Sequence, residues 1–422
     1  MYALIDCNSF FASVEKAFHP GLRGKPVCVL SSNDGCIVAL TPEAKAAGLH
    51  RGEPIFKCRE AVERHHVKVF STNMMLYAAM SKRVTGIIRQ SVEQVENYSI
   101  DESFCNLDGY ERHYDIEDYM RQVAQRITTW TDIPVSVGVA QTTTLATMGS
   151  QVAKQYRGYS GVCMIDTDEK RRKALELFDL ADVWGVGRRS LEKLHSLGVT
   201  TPLQFADKPL PWVRNHFSKP GYQTWLELNG HPCIDTAELV SRQSIGTSRT
   251  FGDMVCTLDY LKAAVATFAA SCATKLRAQH SVAGTVTVFI CSNPFRDDLE
   301  QYSNAGTALL HVPTADTIEI TEAALGVLGA IWNGRILYKR AGVMLGAISS
   351  DACVQQKLFD PIGNRPERQD LSRTVDMLNQ RYGLKTVSLA VEGESVQPWK
   401  VHCDHKTPNY LTDIREILTV RI

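Results

Sequence analysis

Residues 97–107, NYSIDESFCNL, limit the fold more than any other part of the chain. Asp101 and Glu102 are adjacent carboxylates, with Tyr98 and Ile100 before them and Phe104 and Leu107 after. Apolar residues that bracket acids in this way suit a hairpin or a bent strand. Neighbouring anions in a half-buried strand repel each other and resist leaving water, so they persist where a cation neutralises them or solvent reaches them. A divalent ion does both. Magnesium is held by one or two carboxylates with substrate phosphates, and two such ions roughly 4 Å apart clamp the attacking and leaving oxygens of phosphoryl transfer. The plainer alternative is a turn whose acids face water.

A third carboxylate weighs against that alternative. Residues 2–11 read YALIDCNSFF, an apolar opening strand that ends in Asp6 and passes through Cys7, Asn8 and Ser9 to Phe10 and Phe11. A strand that delivers Asp6 beside a hairpin carrying Asp101 and Glu102 would put three acids around one metal pair.

The opening strand with Asp6, followed by Asn8, Ser9, Phe10, Phe11, Ala12, Ser13, Val14 and Glu15, and the distant Ser99-Ile100-Asp101-Glu102 together resemble the palm of the Y-family translesion DNA polymerases. LSSNDGCIVA at 30–39 and STNMMLYAAMSKRV at 71–84 are similar to the UmuC branch of that family, and the likeness extends over nearly the whole chain. The resemblance implies an α+β multidomain, right-hand polymerase. It implies a ferredoxin-like βαββαβ palm at 1–20 and 78–170, small fingers at 21–77 and a helical helix-hairpin-helix thumb at 171–235. A βαββαβ little finger at 242–350 would follow, then a linker with a clamp-binding peptide at 351–369 and an accessory-protein-binding C-terminal tail at 370–422.

The implied activity is error-prone, template-directed nucleotidyl transfer across damaged DNA in the SOS response. Asp6, Asp101 and Glu102 would hold two Mg2+ ions, with the Cys7 carbonyl as a further ligand. Asn8, Ser9, Phe10, Phe11, Lys45 and Lys154 would meet the incoming dNTP, the two lysines at its triphosphate. Phe11 stands where the family places an aromatic gate whose ring excludes a ribose 2′-hydroxyl by bulk and leaves that hydroxyl unpaired. The implied partners are primer-template DNA, dNTPs, a sliding clamp, a UmuD-like accessory dimer and a recombinase filament. The chain departs from the family pattern at Pro42 and Lys45, where many relatives have Tyr and Arg. An ammonium at that place keeps a point charge and loses the bidentate fork. Thr143 and Thr147 occupy positions where relatives often carry Lys, so weaker phosphate contact is expected on that face.

Composition sets bounds. At 422 residues the chain has room for about three domains, and its 46 Lys and Arg balance 46 Asp and Glu, so DNA contact has to come from local patches. Twelve cysteines lack Cys-x-x-Cys spacing, and Cys28, Cys163 and Cys291 sit in apolar strands, which argues for reduced core thiols. His402, Cys403 and His405 lack a second ligand pair at zinc-finger spacing and are read as a surface or partner-facing patch. No apolar run approaches the ~20 residues of a membrane span and no basic segment leads an apolar one at the N-terminus. A cytoplasmic, nucleoid-associated protein without membrane contact is the expectation.

Periodicity and punctuation place the remaining elements. Asn33-Asp34-Gly35 predicts a hairpin, Pro42 to Gly48 a short helix, and the spacing of Leu76, Met80, Val84, Ile87 and Ile88 a long one. Helices are expected over 116–130 and 142–154 with a strand at 135–140 between them, which completes the first βαββαβ order. Gly185, Gly187, Arg188 and Arg189, followed by Leu191, Leu194 and Leu197, have the look of a helix-hairpin-helix whose backbone N–H groups approach a DNA phosphate. From Arg242 the order repeats, with helices at 258–279 and 317–332, and Gly246, Ser248 and Arg249 are candidate template contacts on its first strand. Gln355, Leu358 and Phe359 in QQKLFD resemble a clamp-binding peptide, and an exposed Leu-Phe in a polar tail has little other use. Two rivals stay open on the residues alone: a palm-type nucleotide cyclase, and a DNA-binding scaffold without catalysis.

Overall fold

A computed structural model of the chain describes residues 1–235, 242–358, 360, 362–383, 385–393 and 401–418. The chain divides into two compact units, Met1–Leu239 with Asp404–Ile422, and Val240–Cys403. Among the described residues no helix is long and apolar enough to cross a membrane.

The first unit opens with β1 (Tyr2–Cys7) and α1 (Phe10–Phe18). A small sheet follows, made of β2 (Val27–Leu30), β3 (Ile37–Leu40) and, after α2 (Pro42–Ala46) and α3 (Arg59–Arg64), β4 (Lys68–Ser71). Its strand order is β3-β2-β4, and Asn33 and Asp34 take positive φ in the β2 to β3 connection, as the turn signal required. Next come α4 (Met74–Arg89), β5 (Gln94–Asn97), β6 (Glu102–Asn106), α5 (Ile116–Thr131), β7 (Val135–Ala140), α6 (Thr143–Gln155) and β8 (Val162–Ile165). The large sheet runs β5-β6-β1-β7-β8, so the first four strands have the ferredoxin-like order with β1 central, and β8 adds in parallel beside β7. The sequence reading named no strand at β4, a four-residue stretch too short to show a period, while β8 holds the Cys163 that was read as lying in an apolar strand.

Strand alternation divides this sheet between two cores. Ala3, Ile5 and Cys7 pack with Met80, Val84, Ile87, Met120 and Val123 under α4 and α5. Leu4 and Phe104 face the other way, into a core with Leu145 and Met148 of α6. Asp6 and Glu102 share that second face by the two-residue period. The approach of α6 to the sheet is very close. A Cβ on Gly138 would lie 1.9 Å from the Ala146 carbonyl, so only glycine fits there.

Five short helices complete the unit: α7 (Asp168–Leu177), α8 (Arg188–Ser196), α9 (Pro202–Ala206), α10 (Leu210–His216) and α11 (Lys219–Leu228). They continue the α6 core through Leu175, Leu194, Phe205, Val213 and Leu228.

The second unit contains β9 (Ile245–Val255), α12 (Leu258–Ala278), β10 (Ser281–Cys291), β11 (Ser303–Thr314), α13 (Thr317–Ile331) and β12 (Tyr338–Ser350). Its all-antiparallel sheet has the order β11-β10-β12-β9, which leaves the first strand on an edge. Val286, Val288, Ile290, Val343 and Leu345 pack against α12 and α13 on one face. The tail contributes α14 (Arg365–Tyr382), longer than the one helix the sequence suggested around 374–381.

Candidate active site

The register of the large sheet sets the site. β1 pairs with β6 so that Asp6 stands opposite Glu102, and the Cys7 N–H donates to the Asp101 carbonyl at 2.9 Å. Opposed residues of antiparallel strands have Cβ atoms roughly 5 Å apart, so the early aspartate and the distant doublet meet at one corner. The hairpin closes where the N–H groups of Tyr98 and Ser99 donate to the Glu102 carbonyl. The Ser99 hydroxyl donates to Asp101 Oδ1 at 2.6 Å and its oxygen accepts from the N–H groups of Asp101 and Glu102. This serine ties the doublet to its turn.

Charge at the corner is unbalanced. Burial first, then the negative charges of Asp6 and Asp101, push the Glu102 carboxyl above its ordinary value, while the Ser99 contact and Lys154 pull the other way. Lys154, in the last turn of α6, forms an ion pair with Asp6 at 2.7 Å. One ammonium among the described residues thus stands beside three carboxylates. Among the described residues no three His, Cys, Asp or Glu side chains are already gathered tightly enough to hold an ion. The Cys7 thiol is buried, and burial with the adjacent carboxylates pushes it far up, so it stays protonated. Only its carbonyl remains as a donor of the hard-oxygen type that magnesium takes.

The turn after Asp6 is strained and well held. Ser9 takes a left-handed conformation, φ 48°, at the start of α1. Asn8 donates its N–H to the Pro134 carbonyl at 2.8 Å, its Oδ1 accepts from the Ser136 hydroxyl at 3.0 Å, and its carbonyl accepts from Ser13 at 2.7 Å. Phe10 enters the core, whereas Phe11 is half-buried and stacks on Tyr77. Lys45 is exposed on α2, whose Thr41 caps the helix by accepting from Ala44 N–H.

The two threonines that break the basic pattern have a structural occupation. Thr143 is buried and donates to the Glu227 carboxylate at 2.9 Å, and Thr147 turns its hydroxyl back to the Thr143 carbonyl. Glu227 also accepts from the N–H groups of Thr144, Cys233 and Ile234. An anion at the start of α6 suits the helix dipole and fastens α11 to it.

The other sequence candidates lie on other elements. Gly185 has φ +93°, and a Cβ there would meet Thr224 Oγ1 at 2.3 Å. Gly187 caps α8, Arg188 pairs with Glu192 one turn on at 2.9 Å, and Arg189 is exposed. Trp184, which the sequence reading did not single out, donates its indole N–H to the Tyr98 hydroxyl at 3.0 Å and props the acid hairpin. In the second unit Gly246 and Arg249 are exposed on edge strand β9, and Ser248 Oγ accepts from Arg340 at 3.1 Å. Arg340 in turn lies over the Phe289 ring at 5.4 Å. Gln355 is exposed and Leu358 is 91 % exposed, while Phe359 lies outside the described residues.

The impB/mucB/samB family matches residues 5–151, and its C-terminal domain matches residues 242–358. The chain is 38 % identical over 423 residues to Protein UmuC of Salmonella typhimurium strain LT2, with all of both chains covered. The chain belongs to the impB/mucB/samB family. Protein ImpB of Salmonella typhimurium is equally similar, 38 % identical with full coverage of both chains. DNA polymerase IV 2 of Bacillus subtilis is 26 % identical over 93 % of this chain and 96 % of its own. Residues 369–420 match a domain of unknown function (DUF4113). Among solved structures, a Y-family DNA polymerase chimera of Dbh and Dpo4 has a TM-score of 0.65 at 20 % identity. That match covers 83 % of this chain and 99 % of the chimera. The insertion ternary complex of Dbh DNA polymerase has a TM-score of 0.54 with the same coverage. The impB/mucB/samB chain therefore has a Y-family polymerase fold and lies in the UmuC branch.

Proposed function

We propose that this protein is an error-prone translesion DNA polymerase that joins deoxynucleotides to a primer by two-metal nucleotidyl transfer. The observation that carries the reading is the pairing of Asp6 with Glu102, with Asp101 at the next step of the same corner. Two oxygen-ligated divalent ions fit the donor set, because Glu102 is pushed up by burial and then by the charges of Asp6 and Asp101, and among the described residues one lysine stands beside the three acids. Asp6, Asp101, Glu102 and the Cys7 carbonyl would hold Mg2+, which would supply charge neutralisation at the phosphates and at the attacking and leaving oxygens.

The chain's own residues position and exclude. Asn8 and Ser9 fix the start of α1, so that Phe11 presents ring bulk where a ribose 2′-hydroxyl would otherwise fit. Lys154 releases Asp6 as phosphate arrives, and with exposed Lys45 holds the triphosphate as point charges. The hairpin at 185–189 and the open face of the second sheet grip primer-template DNA through sequence-blind contacts. The two units correspond to palm, fingers and thumb in the first and little finger in the second. Gln355 and Leu358 engage a sliding clamp, and the tail meets a UmuD-like dimer and a recombinase filament.

Primer extension on a lesion-bearing template with Mg2+ tests the reading, with Asp101→Ala beside the native chain. Incorporation by the native chain alone is expected; equal activity in both rejects these acids. Cyclic nucleotide made without DNA would support a cyclase instead, and DNA binding without incorporation, accessory proteins included, a scaffold.

A further inference from the structure

Residues 404–418 pack on the first unit although they lie at the far end of the sequence. Asp404 N–H donates to the Asp34 carboxylate at 2.8 Å, and His405 exchanges hydrogen bonds with Ser71 at 2.9 and 3.1 Å. Asn73 Nδ2 donates to the carbonyls of Thr407 and Pro408 at 2.8 and 3.3 Å. Tyr410 stacks on Phe18 with ring centroids 5.0 Å apart. The segment crosses the junction of β4 and α4 and reaches α1.

At its centre Thr407 is buried and its hydroxyl donates to Glu15 Oε1 at 3.1 Å. The same oxygen accepts from the Tyr77 hydroxyl at 2.7 Å, and Glu15 Oε2 has no hydrogen-bond partner among the described residues. Glu15 and Tyr77 are both fully buried. The Tyr77 ring lies nearly flat on Phe11, with centroids 4.5 Å apart and planes 15° apart. A buried carboxyl depends on its few donors, and a buried tyrosine on its one acceptor, so loss of one bond loosens the next. Thr407 is therefore three contacts from the ring that selects the sugar.

We propose that residues 404–418 act as a strap that fixes the Phe11 ring through Thr407, Glu15 and Tyr77, which makes the C-terminal segment a determinant of sugar selection. Thr407, Glu15 and Tyr77 are positioning residues, because none of them needs to touch the nucleotide. Rejection by bulk works only if the ring cannot tilt away, and the strap supplies that rigidity from a segment absent from the two family-domain matches at 5–151 and 242–358. The proposal rests on the polymerase reading above.

The test uses the full chain and compares kcat/KM for a dNTP with that for the matching rNTP. Thr407→Val removes the hydroxyl with little change of shape, and the ratio is expected to fall about 3–10-fold, the worth of one hydrogen bond, mainly through faster rNTP incorporation. Thr407→Ser keeps the hydroxyl and restores the native ratio. Tyr77→Phe breaks the same line at its other end and lowers the ratio as well. An unchanged ratio in Thr407→Val, or dNTP and rNTP incorporation falling in proportion in both Thr407 variants, overturns the strap. A native chain that incorporates no dNTP brings down the polymerase reading itself, and the strap with it.

Discussion

The two βαββαβ sheets share an element order and differ in what stands at their centre. In the first, β1 lies between β6 and β7, and its acid meets another acid across the ladder. In the second, β9 lies on the edge and β12 and β10 fill the centre. The acids differ as well. Asp316 and Glu319 of α13 and its cap each have an arginine, Arg368 at 2.9 Å and Arg365 at 2.8 Å, and Asp376 of α14 has Arg277 at 2.6 Å. Among the described residues, Asp6 has one cationic partner, Lys154, which also acts on Glu102, and neither Asp101 nor Glu102 has an ion pair of its own. Buried acids that serve the fold arrive with partners, because an unpaired buried charge is costly; acids left in surplus mark a place where a mobile cation completes the balance.

Removing an acid from the unbalanced sheet should have the largest effect. Asp101→Ala is expected to lower single-nucleotide incorporation by at least ~10³-fold with DNA affinity kept, as read by pre-steady-state extension and by anisotropy of labelled DNA. An equal loss of DNA binding would mean that the acids serve the fold. Gly138→Ala should come next. The added methyl collides with α6 backbone, so a loss of about 3 kcal/mol is expected in denaturant unfolding, with Lys154 displaced from Asp6.

Arg365→Ala tests the balanced sheet. It leaves Glu319 without its guanidinium and should cost about 2 kcal/mol in the second unit, with no change in incorporation on saturating DNA. Arg365 also pairs with Asp360 and holds its carboxyl at about 2, so this support is present above the ordinary aspartate value near 3.8 and is lost as pH falls toward 2. On the open face of the same sheet, Arg340→Ala should weaken DNA binding about threefold and reduce the salt slope by about one, without altering kcat.

The smallest effect is the most diagnostic of surplus charge. Glu102 has a folded-state value above its ordinary 4.5, so the fold holds that proton more tightly than the unfolded chain does. Stability is lost as pH rises through the raised value and stays lower at neutral pH. Glu102→Gln should therefore melt higher than the native chain at pH 7 and equally at pH 4, while losing activity. Added Mg2+ should raise the native melting temperature at pH 7 and leave Glu102→Gln nearly unmoved. A variant that melts lower at pH 7 would show Glu102 to be a stabilising residue.

Much of this was legible in the chain because it is written locally. The strand at 135–140, the turn at Asn33 and Asp34, and the helices at 116–130 and 317–332 depend on neighbours within a few residues, and they stand within one residue of where the pattern put them. The acid doublet was conspicuous because charge in an apolar strand is out of place. What occupies Thr143 could not be read locally, since the buried Glu227 that claims it is 84 positions away. The tail gave the least: Thr407 meets Glu15 across 392 positions, and no spacing rule reaches that far.

The sequence by itself determined most of the strands and helices, and that three acids, two of them adjacent, would need either a cation or water. It determined these because propensity, period and the cost of burying charge act on each segment separately. Tertiary structure alone decided that β1 would be central in one sheet while β9 is an edge in the other, that Lys154 would be the counter-charge beside Asp6, and that residues 404–410 would return to α1. Those outcomes depend on which surfaces fit when packed, as at Gly138, where one missing Cβ lets a helix lie directly on a strand and brings its lysine to Asp6.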